Sequence, residues 1–181
     1  MTDLCRLAEK YGTDKVPGYT PFYDTLFGLI RGRIRSVLEI GIGTPGAMQH
    51  VPGYTPGASL RMWAEYFPFA HIVGIDIDPA TAVTGDRITT KVCSQTSPTD
   101  LEKLAHEHGP FDIVIDDGSH KVDDQILTAK ILKKFVVPGG YYIIEDALHY
   151  DSVSENLPFP HSVVLCRPNQ SLTGRLILIR G

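Results

Sequence analysis

The sequence predicts an α/β protein built on a mostly parallel, seven-stranded sheet with helices on both faces. Short apolar runs alternate with amphipathic segments, which is the pattern of strand–helix–strand units. Several runs end in acidic residues, as buried parallel strands do where their carboxyl ends open onto a site. A polar stretch separates the last two runs, which predicts a C-terminal antiparallel hairpin. We expect residues 1–181 to form a single domain, with a helical cap segment over 1–34 and the sheet-containing core over 35–181.

Two helices are predicted ahead of the sheet. Residues 3–11 place their apolar side chains on one face, and Gly12 follows as the stop. Residues 21–31 repeat that periodicity and are followed by Gly32.

The core then alternates between strands and helices. One helix should begin at Ser59, a second should follow a capping box of Thr99 and Glu102, and a third should cover about 122–134 until Pro138 breaks it. A turn over 169–174 should close the final hairpin. The predicted strands are 35–40, 71–76, 88–93, 111–116, 141–144, 162–166 and 175–179.

The composition excludes several classes of function. A net charge of −4 without a basic run gives no electrostatic support for nucleic-acid binding. The cysteines Cys5, Cys93 and Cys166 are far apart, which favours a reducing compartment over disulfides or a zinc site. The first residues lack a signal-peptide core, and no apolar stretch reaches the roughly 18 residues of a membrane span. We therefore expect a cytoplasmic protein without a membrane partner.

Two acidic clusters stand at the ends of apolar runs. The first is Asp116 and Asp117, with His120 three residues later, and the second is Glu145 and Asp146. Neighbouring strands lie about 4.8 Å apart, so adjacent ends would bring these carboxylates together. Like charges repel, and a hard divalent cation such as Mg²⁺ would stabilise such a cluster of oxygens. His120 is a candidate base because its unperturbed pKa lies near neutrality.

A glycine loop follows the first strand and indicates a nucleotide-type cofactor. Residues 41–46 fit GxGxxG, but the prolines and glycines that follow forbid a helix before Ser59, so no helix N-terminus is offered to a pyrophosphate. Glu39 just before the glycines would repel phosphates and suits a cationic cofactor instead. Asp76, at the next strand end, can accept hydrogen bonds from a ribose. S-adenosylmethionine (SAM) satisfies both conditions better than NAD does.

One short internal repeat is present. Residues 16–21 and 51–56 share the sequence Val-Pro-Gly-Tyr-Thr-Pro. Similar turn chemistry could produce this by chance, or the two loops could form matching walls at the mouth of one pocket.

These motifs resemble class I SAM-dependent methyltransferases, which have a Rossmann-like fold. The first motif is 37–43 and the ribose-binding strand end is 74–76. The sequence is more similar still to the metal-dependent sugar O-methyltransferases of the macrocin, mycinamicin and rhamnosyl type. The segments that carry this are 11–15, 18–23, 57–63, 115–120 and 144–146.

The resemblance implies roles for individual residues. Asp117, Glu145 and Asp146 would hold a divalent metal, with Asp117 and His120 as catalytic groups and His120 as the general base. Asp116 is an alternative ligand, because the sequence does not fix which adjacent acid turns inward. The cofactor set is Glu39, Gly41, Gly43, Ser59, Asp76, Ile77, Ser94, Gln95 and Asp116, with Gln95 near the adenine. The substrate set is Lys15, Tyr19, Tyr23 and His149, although packed tyrosines anchoring a loop would explain the first three equally well.

The predicted function is SAM- and divalent-metal-dependent methylation of a hydroxyl on a sugar or glycosylated small molecule, in natural product biosynthesis. The alternatives are a hydroxylase of the cephalosporin-hydroxylase type on the same scaffold and a non-catalytic SAM-binding module. A homo-oligomer in which a second subunit supplies a substrate cap is also an open expectation.

Overall fold

The computed structural model describes residues 1–166 and 174–181 and contains one seven-stranded sheet. The sheet order is β3-β2-β1-β4-β5-β7-β6. Strands β1 to β5 run parallel to one another, whereas β7 lies between β5 and β6 and is antiparallel to both, so the predicted fold class is confirmed. The strands are β1 (Ser36–Ile40), β2 (His71–Asp76), β3 (Ile88–Val92), β4 (Phe111–Asp116), β5 (Val136–Ile144), β6 (His161–Leu165) and β7 (Arg175–Arg180).

Six α-helices accompany the sheet in the described part of the chain. Short 3₁₀ turns at Pro79–Thr81 and Lys133–Phe135 precede β3 and β5. The described helices are not long and apolar enough to cross a membrane. The helices are α1 (Asp3–Tyr11), α2 (Thr20–Phe27), α3 (Ala58–Tyr66), α4 (Pro98–His108), α5 (Val122–Leu132) and α6 (Tyr150–Asn156).

The two faces of the sheet bury different helices, because successive strand residues point to opposite sides. On one face, residues such as Leu38 and Val114 pack with α4, α5 and α6. On the other face, their neighbours Val37 and Ile113 pack with α1, α2 and α3. The aromatic residues Tyr23 and Phe27 contact Trp63 and Phe67 and so join α2 to α3. Phe27 also contacts Tyr141 of β5, which joins this cluster to the sheet.

The register aligns the carboxyl ends of the parallel strands. Ile40 pairs with Ile75 of β2 and with Asp116 of β4, and Asp116 pairs in turn with Ile144 of β5. The segments that leave these strands therefore begin side by side. Strand order reverses between β1 and β4, which is where open α/β sheets bind their ligands.

Three predicted boundaries are wrong, each for a local reason. The cap of α4 is Ser97, whose Oγ accepts from Asp100 N at 3.4 Å, because Pro98 suits the first helical position. Helix α2 ends at Phe27, after which the chain continues as turns with i→i−3 bonds. Strand β5 begins before Pro138 and absorbs it in a register irregularity against β4.

Two further comparisons concern the C-terminal part of the chain. Helix α6 was not predicted, because its seven residues show little apolar periodicity. The predicted hairpin is confirmed by the β6–β7 pairing, whereas its turn at 169–174 falls almost wholly outside the described residues.

Candidate active site

A cavity of about 1140 Å³ opens at the carboxyl ends of β1 to β5, large enough for a cofactor and part of a second ligand. The first residues after these strands form its floor, and the α1–α2 loop and the rest of the β1–α3 loop contribute walls. Most predicted site residues line it, namely Lys15, Tyr19, Gly41, Gly43, Ser59, Asp76, Ile77, Ser94, Gln95, Asp117, His120, Glu145 and Asp146. The predicted residues that do not line it are Tyr23, Glu39, Asp116 and His149.

The glycine loop is held in shape by Asp76. Its Oδ2 accepts hydrogen bonds from Ile42 N at 2.9 Å and Gly43 N at 3.0 Å. Gly41 has a φ of 89°, and a Cβ there would lie 2.1 Å from the carbonyl oxygen of Asp117. Only glycine fits this close approach between the loops after β1 and β4. Asp76 thus organises the loop as well as lining the cavity.

Glu39 lies behind the cavity wall. It is fully buried, and the Ser59 hydroxyl donates to its Oε2 at 2.8 Å. Its Oε1 lies 3.3 Å from Lys15 Nζ but makes no hydrogen bond of good geometry. Burial raises the pKa of Glu39, while Lys15 opposes that rise. Glu39 therefore acts on the cavity through Ser59 and Lys15, which do line it.

Asp117, His120 and Asp146 form the group best arranged to hold a cation. One ligand atom from each lies within 4.8 Å of the others. His120 Nε2 is 3.2 Å from Asp117 Oδ1. This hydrogen bond raises the pKa of His120 against the opposing effect of burial. Burial favours a higher pKa for Asp117, but Lys15 and His120 outweigh it and hold that pKa below its usual range.

The backbone is left-handed at two of these residues. His120 has a φ of 59° and Asp146 a φ of 44°, and they are the non-glycine residues of the described chain with positive φ. Such conformations are uncommon outside glycine and concentrate at functional sites. Here they turn two ligand-type side chains toward the same point.

Glu145 is occupied by other side chains. Its Oε2 accepts from Lys15 Nζ at 2.6 Å and its Oε1 from the Tyr23 hydroxyl at 2.5 Å. Burial raises the pKa of Glu145 well above its usual value, and Lys15 works against that rise. Glu145 thus borders the cation-binding group but is held by Lys15 and Tyr23, so the structure does not bring it together with Asp117 and Asp146 as a free ligand.

Tyr19 contacts Asp146, the second carboxylate of the cation-binding group. Its hydroxyl donates to Asp146 Oδ1 and accepts from Asp146 N at 3.2 Å. Gly174 N also donates to Asp146 Oδ1, at 3.4 Å. Tyr19 and Tyr23 therefore position the carboxylates of Asp146 and Glu145. This agrees better with tyrosines that anchor a loop by packing than with tyrosines that contact substrate.

Asp116 faces away from the cavity. It is fully buried, and the Tyr142 hydroxyl donates to its Oδ2 at 3.1 Å. Burial raises the pKa of Asp116 to about 7. Of the two adjacent acids, Asp117 is the one that reaches the cavity.

The far end of the cavity, after β3, contains Ser94 and Gln95. Gln95 Oε1 accepts from Ser119 N at 2.6 Å, which ties this strand end to the segment after β4. Ile77, which follows β2, also lines the cavity and is 72% exposed. His149, by contrast, is an exposed residue at the start of α6.

Both copies of the repeated segment line the cavity, which confirms the interpretation as walls of one pocket. Val16, Pro17 and Tyr19 come from the first copy, and the corresponding Val51, Pro52 and Tyr54 come from the second. The sequence did not single out Tyr54, whose hydroxyl donates to the carbonyl of Ile42 at 2.5 Å. The repeat itself was the signal that could have found it.

Comparisons with known proteins agree with this geometry. No protein-family model matches the chain. Demethylmacrocin O-methyltransferase of Streptomyces fradiae is 44% identical over 148 residues, which are 80% of this chain and 36% of that enzyme. The 8-demethyl-8-(2-methoxy-alpha-L-rhamnosyl)-tetracenomycin-C 3'-O-methyltransferase of Streptomyces olivaceus is 43% identical over 147 residues, again 80% and 36%. The chain thus spans little more than a third of the length of these relatives.

A solved structure adds a likeness in three dimensions. The MycE methyltransferase from the mycinamycin biosynthetic pathway, in complex with Mg and SAH, superposes with a TM-score of 0.76 and 29% identity. The match covers 99% of this chain and 55% of that one. The chain therefore has the class I methyltransferase fold and resembles, over 80% of its length, sugar O-methyltransferases of the macrocin, mycinamicin and rhamnosyl type.

Proposed function

We propose that this chain is an O-methyltransferase that uses SAM and Mg²⁺, or another divalent cation, to methylate a hydroxyl of a sugar or glycosylated small molecule. The observation that carries the proposal is the meeting of Asp117, His120 and Asp146 with the glycine loop on one cavity. The names of the relatives, which describe methylation of sugar-bearing natural products, support the class of acceptor.

The cavity suits SAM in its shape and its charge. The loop at Gly41 and Gly43 exposes backbone to the cavity without side chains in the way. Asp76 borders this loop and accepts hydrogen bonds from Ile42 N, Gly43 N and Asp78 N. Because a carboxylate has about four lone-pair sites, it can accept one more from a ribose. The acids around the cavity favour a cationic cofactor over one that carries phosphates. SAM would supply the methyl group.

The donor set also suits a hard divalent cation. Asp117 and Asp146 offer carboxylate oxygens, the ligands that Mg²⁺ prefers, and His120 stands beside them. A cation held there would lower the pKa of an acceptor hydroxyl and so make it a better nucleophile.

His120 is the residue that can take the proton from this hydroxyl. Its Nε2 contacts Asp117, so Nδ1 is the nitrogen left for the substrate in this conformation. The contact with Asp117 holds the ring in place for this proton transfer. Tyr19 fixes Asp146, and Lys15 with Tyr23 fixes Glu145, so the polar groups around the reacting atoms are preorganised.

A methyl-transfer assay tests the proposal. The chain would be incubated with SAM, Mg²⁺ and a panel of rhamnosides and macrolide glycosides, and products would be detected by mass spectrometry. We expect one methyl group to be added, with loss of product in EDTA and in Asp117→Asn. The matched control is Asp123→Asn, an exposed acid outside the cavity, which should retain activity.

Two results would count against it. Product that forms equally well in EDTA would exclude the metal-dependent mechanism. SAM binding without methylation of any glycoside in the panel would favour a binding module, or an acceptor of another class.

A further inference from the structure

Lys15 is a buried cation at the centre of the acids. Its side chain is 2% exposed, and its Nζ lies 2.8 Å from Asp117 Oδ2, 2.6 Å from Glu145 Oε2 and 3.3 Å from Glu39 Oε1. A buried ammonium is costly unless it is paired, and here one ammonium is shared by three carboxyl groups. Lys15 thus connects the acid behind the glycine loop with the acids after β4 and β5.

The ammonium occupies one oxygen of Asp117, a member of the cation-binding group, and one oxygen of Glu145, which borders that group. Both oxygens of Glu145 are taken, one by Lys15 and one by Tyr23. Both oxygens of Asp117 are also in contact with other side chains, Oδ2 with Lys15 and Oδ1 with His120. A divalent cation that approached these carboxylates would meet the positive charge of Lys15 within a few ångströms, where repulsion between like charges is strong.

Of its three carboxyl partners, the ammonium contacts Glu39 least closely. Glu39 Oε1 is buried and has no hydrogen-bond partner, although Lys15 Nζ is only 3.3 Å away. A small shift of the ammonium away from Glu145 and toward Glu39 would satisfy this oxygen. Such a shift would release Glu145 Oε2 from Lys15, while Tyr23 would keep its hydrogen bond to Oε1.

We propose that Lys15 is an internal counter-ion that stands in for the divalent cation in the metal-free protein and competes with that cation for Asp117 and Glu145. The ammonium keeps these buried carboxylates paired when no metal is bound, and it moves toward Glu39 when the metal enters. Lys15 is therefore a positioning residue that lowers metal affinity and keeps the empty site folded. This inference rests on the proposed cation site but concerns metal exchange and not methyl transfer.

The test compares Lys15→Met with the wild-type chain in thermal unfolding and in calorimetric titration with MgCl₂, both at fixed ionic strength. In EDTA, Lys15→Met should unfold about 10 °C or more below wild type, because it leaves buried carboxylates unpaired. Mg²⁺ should restore most of that loss and should bind Lys15→Met about tenfold or more tightly than wild type. Lys10→Met, which removes an exposed lysine paired with Glu65, is the control and should change neither quantity.

A second variant keeps the test decisive if Lys15→Met does not fold in EDTA. The double variant Lys15→Met/Glu145→Gln removes one carboxylate together with the ammonium, and we expect it to fold in EDTA and to recover most of the lost stability. If the double variant is no more stable than Lys15→Met, the charge-pairing argument is wrong.

The outcomes separate this inference from the proposed function. Equal Mg²⁺ affinity in wild type and Lys15→Met would overturn the competition and leave the metal-dependent enzyme intact. Mg²⁺ binding that appears only in Lys15→Met would support competition while contradicting a metal-loaded wild-type enzyme. Absence of Mg²⁺ binding in both would overturn both claims.

Discussion

The hydroxyl of Tyr142 donates a hydrogen bond of 3.1 Å to Asp116 Oδ2, and this pairing turns the first of two adjacent acids into the core. Asp116 is the last residue of β4, so Asp117 leaves the sheet on a different course and reaches the cavity. One buried tyrosine thus identifies which acid of the pair is available to a ligand.

Stability should depend on pH through Asp116. Burial raises its pKa from 3.8 to about 7, so the folded protein keeps this proton to a higher pH than the unfolded chain does. The stabilising contribution is complete below about pH 4 and is lost as the pH rises through about 7. Asp116→Asn, which stays neutral, should therefore gain stability relative to wild type between pH 5 and pH 8, by on the order of 2–4 kcal/mol.

Urea unfolding in EDTA at several pH values would measure this difference. The control is Asp123→Asn, which changes an exposed acid. Asp112→Asn would be unsuitable, because Asp112 accepts hydrogen bonds from Arg35 N and Ser36 N. A constant difference between Asp116→Asn and wild type across the pH range would show that Asp116 is ionised throughout.

The apolar runs were sufficient to predict the sheet, because each carried its own signal. Short runs such as 71–76 and 111–116 became strands within a residue of their predicted bounds. Acids at the ends of β4 and β5 converged because parallel neighbours share one edge. The predicted start of α4 was wrong. The helix begins at Pro98 with Ser97 as its cap, and not after the expected capping box of Thr99 and Glu102.

The contacts of single side chains could not be predicted. Lys15 lies in a loop without periodicity, so its burial among three acids depends on packing that only the complete fold provides. The choice between Asp116 and Asp117 depended on Tyr142, which is 26 residues from Asp116 in sequence. The single-domain assignment, the cytoplasmic location and the homo-oligomer stay predictions.

Gly41 should not tolerate a side chain. Gly41→Ala would place a Cβ 2.1 Å from the backbone of Asp117, in a left-handed conformation, and should cost about 3 kcal/mol or more in unfolding free energy. Gly53 also has positive φ, but nothing lies within 4 Å of its Cβ position. Gly53→Ala should therefore cost only about 1–2 kcal/mol. Similar losses in the two variants would mean that the loops after β1 and β4 do not approach this closely.

His120 should matter for turnover and not for cofactor affinity. Asn tolerates the left-handed backbone at this position, so His120→Asn removes the base with little strain. We expect methyl transfer to be slower by about 10²–10⁴-fold, with SAM affinity from calorimetry changed by less than about threefold. The exposed His106→Asn is the matched control. A rate near that of wild type in His120→Asn would assign the base to another group.

Tyr54 should hold the second copy of the repeat against the glycine loop. Tyr54→Phe removes the hydrogen bond to the carbonyl of Ile42 and should weaken SAM binding several-fold, equivalent to about 1 kcal/mol. Tyr11→Phe removes a hydroxyl bonded to Glu65 outside the main cavity and should leave SAM binding unchanged. If both variants bind SAM like wild type, the β1–α3 loop does not contribute to the cofactor site.

The most direct test of the cation site is calorimetric titration of MgCl₂ into wild type, Asp117→Asn and Asp116→Asn. The two variants make the same chemical change at adjacent positions, one facing the cavity and one facing the core. We predict that Asp117→Asn weakens Mg²⁺ binding by about 100-fold or more, while Asp116→Asn stays within about threefold of wild type. Loss of binding in Asp116→Asn with retention in Asp117→Asn would contradict the assignment of the metal to the cavity.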